Sequence, residues 1–277
     1  MMITRARAMG FCFGVKNTVK LADELVSNIS GPVYSLGEIV HNKALVEEYS
    51  NKGLKVILQD FEVKKGKLLI RAHGVRPEVE ESFRNKGFEI VDGTCPIVKQ
   101  NQIAASKAKW PILLFCKKGH DEAVGIMGYA NHPCTPIETE DDVNEVVTGE
   151  YTVIVQTTFS DEKLSIFTKK LEEKGCVLHF SGSGICYASR DRRTSLMSLC
   201  NNVDMVIVVG DENSANSKTL FLLASSLAKC AYMISGSDEV TKEMARFEKV
   251  GITAGASVPE SVVKSVEERL LELSIDV

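Results

Sequence analysis

The sequence predicts an α/β fold with mainly parallel sheets, and three features lead to it. Short apolar runs recur that are too continuous for half-exposed strands. Amphipathic segments with helix-type ends lie between them. A loop bearing glycine and then cysteine, opening into a helical stretch, occurs three times.

The strands come first. KLLIR (67–71), FEIVD (88–92), PILLFC (111–116), YTVIV (151–155), CVLHF (176–180), VDMVIVVG (203–210) and KVGITAG (249–255) read as strands buried on both faces. Among the helices, one is expected from Ser160 to about Lys174. Asp161 and Glu162 sit in its first turn, Lys169, Lys170 and Lys174 come late, and Gly175 acts as the stop. The last helix is expected to open on a capping box, Ser257-Val-Pro-Glu260. Strands alternating with helices of this length indicate parallel sheets. With 277 residues the chain has room for two or three ordinary domains. No low-complexity segment or Pro/Ser-rich linker marks their borders.

The recurring junction marks them instead. Cys12 opens CFGVKNTVKLADELV, Cys95 opens CPIVKQNQIAASKAK and Cys186 opens CYASRDRRTSLMSLC, after loops carrying Gly10, Gly93 and Gly184. The spacing suggests three similar lobes, each presenting one sulfur at a helix amino end. The expected bounds are 14–94 (with His41 and His73), 95–185 (with Cys95, His120, Glu122 and Thr158), and 186–277 together with 1–13 (with Cys12, Cys186, Ser214, Asn216 and Ser257). A helix amino end lowers a thiol's pKa and offers N–H groups to sulfur, properties that a metal site uses. Three thiolates suit zinc with one open position or an iron–sulfur cluster with one iron free of protein ligands, and spacing does not choose between them. The absence of any C-x-x-C pair weakens a structural zinc site. The other cysteines read as buried thiols in apolar settings, with Cys134 in a turn.

Three of the five histidines, His41, His73 and His120, fall in loops at expected strand carboxyl ends, where α/β folds bind ligands. QTTFS (156–160), NSANS (213–217) and GAS (255–257) are hydroxyl- and amide-rich turns heading helices. Such turns hold phosphate through backbone N–H groups, or simply cap their helices. SGSGIC (181–186) lacks a third glycine and no P-loop lysine follows a Gly-rich turn, so neither a dinucleotide nor ATP is inferred.

Composition limits the function classes. The formal net charge is −4 and no basic run exceeds two residues, which argues against a nucleic-acid partner. No apolar stretch is long enough to span a bilayer. The opening MMITRARAMGFCFGVK faintly resembles a signal peptide, but Lys16 breaks its apolar run and no cleavage site follows. Eight cysteines without a secretion signal imply a reducing, cytoplasmic setting.

Read in order, GFCFGV, HNK, AHGV, TCP, GH-x-E-x-x-G-x-MG, QTT, ICYAS, NSANS and TAGAS resemble the LytB/IspH family of 4-hydroxy-3-methylbut-2-enyl diphosphate reductases. The match runs from about residue 10 to about residue 257. It implies a trefoil of three α/β lobes around one 4Fe–4S cluster per chain, held by three cysteines with one open iron. By motif, the ligands are Cys12, Cys95 and Cys186. The implied reaction is the reductive dehydration of the allylic diphosphate to isopentenyl and dimethylallyl diphosphates, the last step of the non-mevalonate isoprenoid pathway. Its electrons would come from a ferredoxin- or flavodoxin-type donor.

The resemblance assigns the diphosphate to His41, His73, His120, Ser214, Asn216 and Ser257. It places Thr158 near the substrate hydroxyl and makes Glu122 the acid. An open iron is a Lewis acid toward oxygen, and carbon–oxygen cleavage needs a proton that a carboxyl in a dry pocket can hold. Three departures from the family pattern stand out. Ala215 replaces a common serine, leaving only backbone N–H for any contact. Asp121 and Val124 stand where proline and a second glutamate are frequent. The rival readings are an open-iron hydro-lyase acting on a phosphorylated alcohol, an iron–sulfur redox sensor and a zinc phosphate-ester hydrolase.

Overall fold

The computed structural model describes residues 1–28, 31–40, 42–58, 65–212 and 214–275; the side chains of Ala44 and Ala215 are likewise outside the description. The chain begins with β1 (Met2–Arg5), α1 (Phe13–Ser27), β2 (Val33–Leu36), α2 (Lys43–Asn51), β3 (Leu54–Ile57), β4 (Lys67–Ile70), α3 (Pro77–Asn85) and β5 (Glu89–Asp92). It continues with α4 (Pro96–Ser106), β6 (Ile112–Phe115), α5 (Asp121–Gly128), β7 (Cys134–Ile137), α6 (Glu140–Glu145), β8 (Glu150–Val155), α7 (Asp161–Glu173) and β9 (Val177–Phe180). The remainder is α8 (Tyr187–Cys200), β10 (Met205–Val209), α9 (Ala215–Leu227), β11 (Ala231–Ile234), β12 (Lys249–Ala254) and α10 (Glu260–Ile275).

The described strands form three four-stranded sheets, ordered β3-β2-β4-β5, β7-β6-β8-β9 and β11-β10-β12-β1. All pairs are parallel. The order repeats: the first strand of each set is flanked by the second and third, and the fourth lies outermost. In the last sheet β1, made first, fills the fourth place beside β12, with Met2 opposite Lys249. By compactness the chain forms two units. Met1–Lys16, Val40–Glu48 and Tyr187–Val277 contain the β1 sheet, and Asn17–Ile39 with Tyr49–Cys186 contain the other two.

Apolar alternation explains why the strands read as unbroken runs. On β10, Met205, Ile207 and Val209 enter one core while Val206 and Val208 enter another. On β6, Leu113 and Phe115 face one core and Ile112 and Leu114 the opposite one. A strand covered by helices on both faces has no solvent side to carry polar residues. The outermost β1 is fastened by Arg5, whose guanidinium donates to Glu260 and Glu267 of α10, each at 2.5 Å. Those bonds raise the Arg5 pKa well above its ordinary range.

Each of the seven runs expected as strands overlaps one, but β5 and β9 are edge strands with exposed ends rather than strands buried on both faces. The helix expected after Ser160 is α7, with the Ser160 side chain accepting from the Lys163 N–H and Gly175 at φ +83° behind it. Two further expectations are corrected. Cys134 begins β7 rather than lying in a turn, and Pro133 and Pro136 hid that strand. β7 is an edge strand, where a missing N–H is tolerated. The last helix starts at Glu260 rather than directly after Ser257, and the N–H groups of Val262 and Val263 bond to Pro259 O.

Candidate active site

In each sheet the fourth strand runs out into a cysteine that immediately precedes a helix. β1 leads to Cys12 and α1, β5 to Cys95 and α4, and β9 to Cys186 and α8. Cys95 is the N-cap of α4 with Pro96 as the first helical residue, the position where a proline's missing N–H costs nothing. The Val15 N–H donates to the Cys12 sulfur at 3.5 Å, so a helix-start amide already addresses the sulfur. These three cysteines are half-buried, whereas Cys116, Cys176 and Cys200 are buried. Burial pushes the Cys116 thiol up to about 12 and the Cys134 thiol up to about 11, which keeps both protonated. Among the described residues, no three His, Cys, Asp or Glu side chains are gathered as they would be around a single metal ion.

The larger unit brings several expected residues together. The turn after β4 carries His73, closed by the Gly74 N–H to Arg71 O bond, and Cys95 N–H donates to Ala72 O at 3.0 Å. His120 caps α5, its Nδ1 accepting from the Glu122 N–H at 3.2 Å. The His73 and His120 rings meet edge to face with centroids 5.3 Å apart.

Glu122 is only 2% exposed. Thr157 donates to both its oxygens, through N–H at 2.8 Å and hydroxyl at 2.7 Å. Burial outweighs those two bonds and pushes the carboxyl up to about 7. Although it lies in the first turn of α5, Glu122 does not face solvent. Thr157 also accepts from the Cys186 N–H at 2.9 Å, so one residue links a sulfur-bearing loop to the buried acid.

Thr157 is not among the residues the sequence marks out, because its contact with Glu122 depends on a segment 35 residues away. Its neighbour Thr158 accepts from Gln156 Nε2 at 3.2 Å, and Gln156 Oε1 accepts from the Lys117 N–H.

The smaller unit carries the second group, at the carboxyl ends of β10 and β12. Ser214 caps α9 and accepts from the Ser217 N–H. Asn216 lies in the first turn, and its Nδ2 is buried without a hydrogen-bond partner among the described residues, as are Ser217 Oγ and Thr253 Oγ1. Ser214 and Ser257 are buried too. Unpartnered buried donors beside a helix amino end suit an anion. His41 lies outside the described residues, and of Ala215 only the backbone is described.

Arg192, which sequence reasoning passed over, is buried. It donates to Gly10 O at 2.5 Å and Ala188 O at 2.7 Å, tying α8 to the turn ahead of Cys12. A cavity of about 730 Å³ in this unit is walled by Asp211, Glu212, Asp238 and Glu239, a poor match for an anionic ligand.

Three parallel four-stranded sheets, each running out into a cysteine just ahead of a helix, define a protein of the α/β class. The chain belongs to the LytB protein family, whose pattern matches residues 3–271. It is 34% identical to a 4-hydroxy-3-methylbut-2-enyl diphosphate reductase of Aquifex aeolicus, over 97% of this chain and 95% of the relative. It is also 34% identical to one of Dictyoglomus thermophilum, over 99% and 97%. Two solved structures resemble it. One, of (E)-4-hydroxy-3-methyl-but-2-enyl diphosphate reductase, the terminal enzyme of the non-mevalonate pathway, has a TM-score of 0.74 at 33% identity, covering 98% of this chain and all of that one. The other, the reductase from Plasmodium falciparum, has a TM-score of 0.88 at 26% identity, covering 96% and 87%. The family uses an iron–sulfur cluster. No helix among the described residues is long and apolar enough to cross a membrane.

Proposed function

We propose that this chain is the iron–sulfur oxidoreductase that converts 4-hydroxy-3-methylbut-2-enyl diphosphate to isopentenyl and dimethylallyl diphosphates in the cytoplasm. The substrate's carbon–oxygen bond breaks, the oxygen leaves as water with one proton, and a second proton adds to carbon. Two electrons from a ferredoxin- or flavodoxin-type donor complete the balance. The single observation that carries this reading is the buried Glu122, held by Thr157 and pushed up to about 7. A carboxyl protonated near neutrality is the group that a leaving hydroxyl requires.

The donor set fits the cofactor: Cys12, Cys95 and Cys186 are alike in position, each half-buried immediately before a helix whose first N–H groups can address sulfur. These three would hold a 4Fe–4S cluster with one open iron, which supplies electrons and a Lewis-acid position when bound. The protein's own groups do the rest. Ser214, Asn216, Ser257 and the α9 amino end, with His41, His73 and His120, bind and orient the diphosphate, and Ala215 contributes backbone alone. Glu122 holds the proton, and Thr157 keeps its carboxyl in place. Thr158 lies next in the chain to receive the substrate hydroxyl. The repeated strand order supports three lobes at 14–94, 95–185 and 186–277 with 1–13.

Anaerobically purified protein is mixed with a reduced dye and the allylic diphosphate. Dye oxidation that depends on the diphosphate is expected, and its absence from brown, cluster-loaded protein would end the proposal.

A further inference from the structure

Arg71 and Asp121 are the two charged residues nearest in sequence to His73 and His120, and they form an ion pair. Arg71 follows β4 and Asp121 is the first residue of α5; the guanidinium Nη2 donates to Asp121 Oδ2 at 2.6 Å. The Arg71 side chain is only 15% exposed and that of Asp121 is 49% exposed. The guanidinium lies against Gly37, in the loop after β2, at φ +77°. A Cβ on Gly37 would come within 2.8 Å of Arg71 Cζ, so only a residue without a side chain leaves this berth open.

The pair sits where two short segments meet. The turn 71–74 bears His73 and is bonded through Ala72 O to the Cys95 N–H. The start of α5 bears His120 and Glu122, with His120 Nδ1 on the Glu122 N–H. Across this junction the two imidazole rings meet edge to face, with centroids 5.3 Å apart. The ion pair is the charged contact that spans the same junction. Asp121 also lies in the first turn of α5, where the helix end favours an anion.

We infer that Arg71 and Asp121 are positioning residues, a latch that fixes the His73 turn against the amino end of α5 and so sets the spacing of the two imidazoles. This rests on the reductase reading in assigning those imidazoles to the diphosphate. The latch acts on binding. Glu122 keeps its own bonds to Thr157 whether or not Asp121 is charged, so the proton-holding group is left in place.

The test uses the cluster-loaded enzyme with Asp121→Asn and Asp121→Glu. Asn keeps the size and removes the charge, while Glu keeps the charge. For a half-exposed pair, Asp121→Asn is expected to raise KM about threefold to fivefold with kcat within about twofold. Asp121→Glu restores KM to near the wild-type value. Raising the ionic strength raises the wild-type KM more steeply than that of Asp121→Asn, because only the wild type carries the pair. Hydrogen exchange, followed on the same samples without substrate, is expected to quicken in 72–75 and 120–123 for Asn and not for Glu. An unchanged KM in an active Asp121→Asn enzyme overturns the latch, as does unchanged exchange in both segments. Should the wild-type enzyme not turn the diphosphate over, the reductase reading falls, and exchange alone then decides whether the latch exists.

Discussion

Thr157 holds both oxygens of Glu122, one by its backbone N–H at 2.8 Å and one by its hydroxyl at 2.7 Å, inside a site where the carboxyl has almost no contact with solvent. The two donors favour the charged form and burial opposes it. Burial wins, and the carboxyl titrates near 7. A glutamate so placed is an acid at neutral pH without any neighbouring negative charge to make it one.

Replacing Glu122 by Gln keeps the shape and removes the proton. Turnover is expected to fall by roughly 10²- to 10⁴-fold, the usual worth of a positioned acid. The visible spectrum of the cluster-loaded protein is expected to stay as in the wild type. Wild-type kcat should decline as pH rises through about 7, where Glu122 loses its proton. A variant with full turnover removes Glu122 from the acid role.

The same carboxyl sets a signature in stability. Folding raises its pKa from 4.5 to about 7, so the folded chain binds this proton more tightly than the unfolded chain does. Its stabilising contribution is complete below about pH 4.5 and is lost as pH climbs through about 7. Thermal melts of wild type and Glu122→Gln should therefore diverge from about pH 5 to about pH 8, with Gln gaining at the high end. Parallel curves would mean that the acid titrates at its ordinary value.

The cysteines separate into two kinds. Cys95→Ser is expected to abolish the brown colour and all activity, because Cys95 is the N-cap of α4 in the recurring junction. Cys116→Ala should keep the colour, since Cys116 is a wholly buried thiol held protonated by its apolar surroundings. Iron and sulfide content per chain, with the visible spectrum, distinguishes these outcomes.

Gly210 and Gly255 flank Ser217, and a Cβ on either would fall 2.3 Å or 2.2 Å from its Oγ. Gly255→Ala should destabilise by about 1–3 kcal/mol through overpacking. Adding Ser217→Ala should recover most of that loss, because the next atom, Ser217 Cβ, stands 3.4 Å away. Gly210→Ala should not be rescued, since the same Cβ would still press at 2.7 Å. Denaturant midpoints of the singles and doubles check both statements.

What the sequence disclosed follows from burial. The seven runs read as strands include five of the six inner strands, whose both-sided cores leave an unbroken apolar signal. Four of the five strands not read, β1, β3, β7 and β11, are edge strands; charged, hydroxyl or proline residues interrupt the run in β1, β3 and β7, while β11 is simply a short apolar run of four residues. The fifth, β2, is inner but carries Ser35, whose hydroxyl is satisfied by Gly37 O at 2.8 Å. The junctions at Cys12, Cys95 and Cys186 were legible because glycine, cysteine and a helical pattern recur together. Thr157, Arg192 and the Arg71–Asp121 pair were not legible, because each depends on which distant segment a side chain meets, and spacing carries no trace of that.

The place of β1 in its sheet has a consequence for how the polypeptide matures. The strand translated first finds its neighbour, β12, only once residues 249–254 have been synthesised. Closing so long a loop is slow compared with assembling the two sheets made from consecutive strands. Of the three junction cysteines, Cys12 is therefore made ahead of Cys95 and Cys186 yet waits for the longest closure before β1 can seat it.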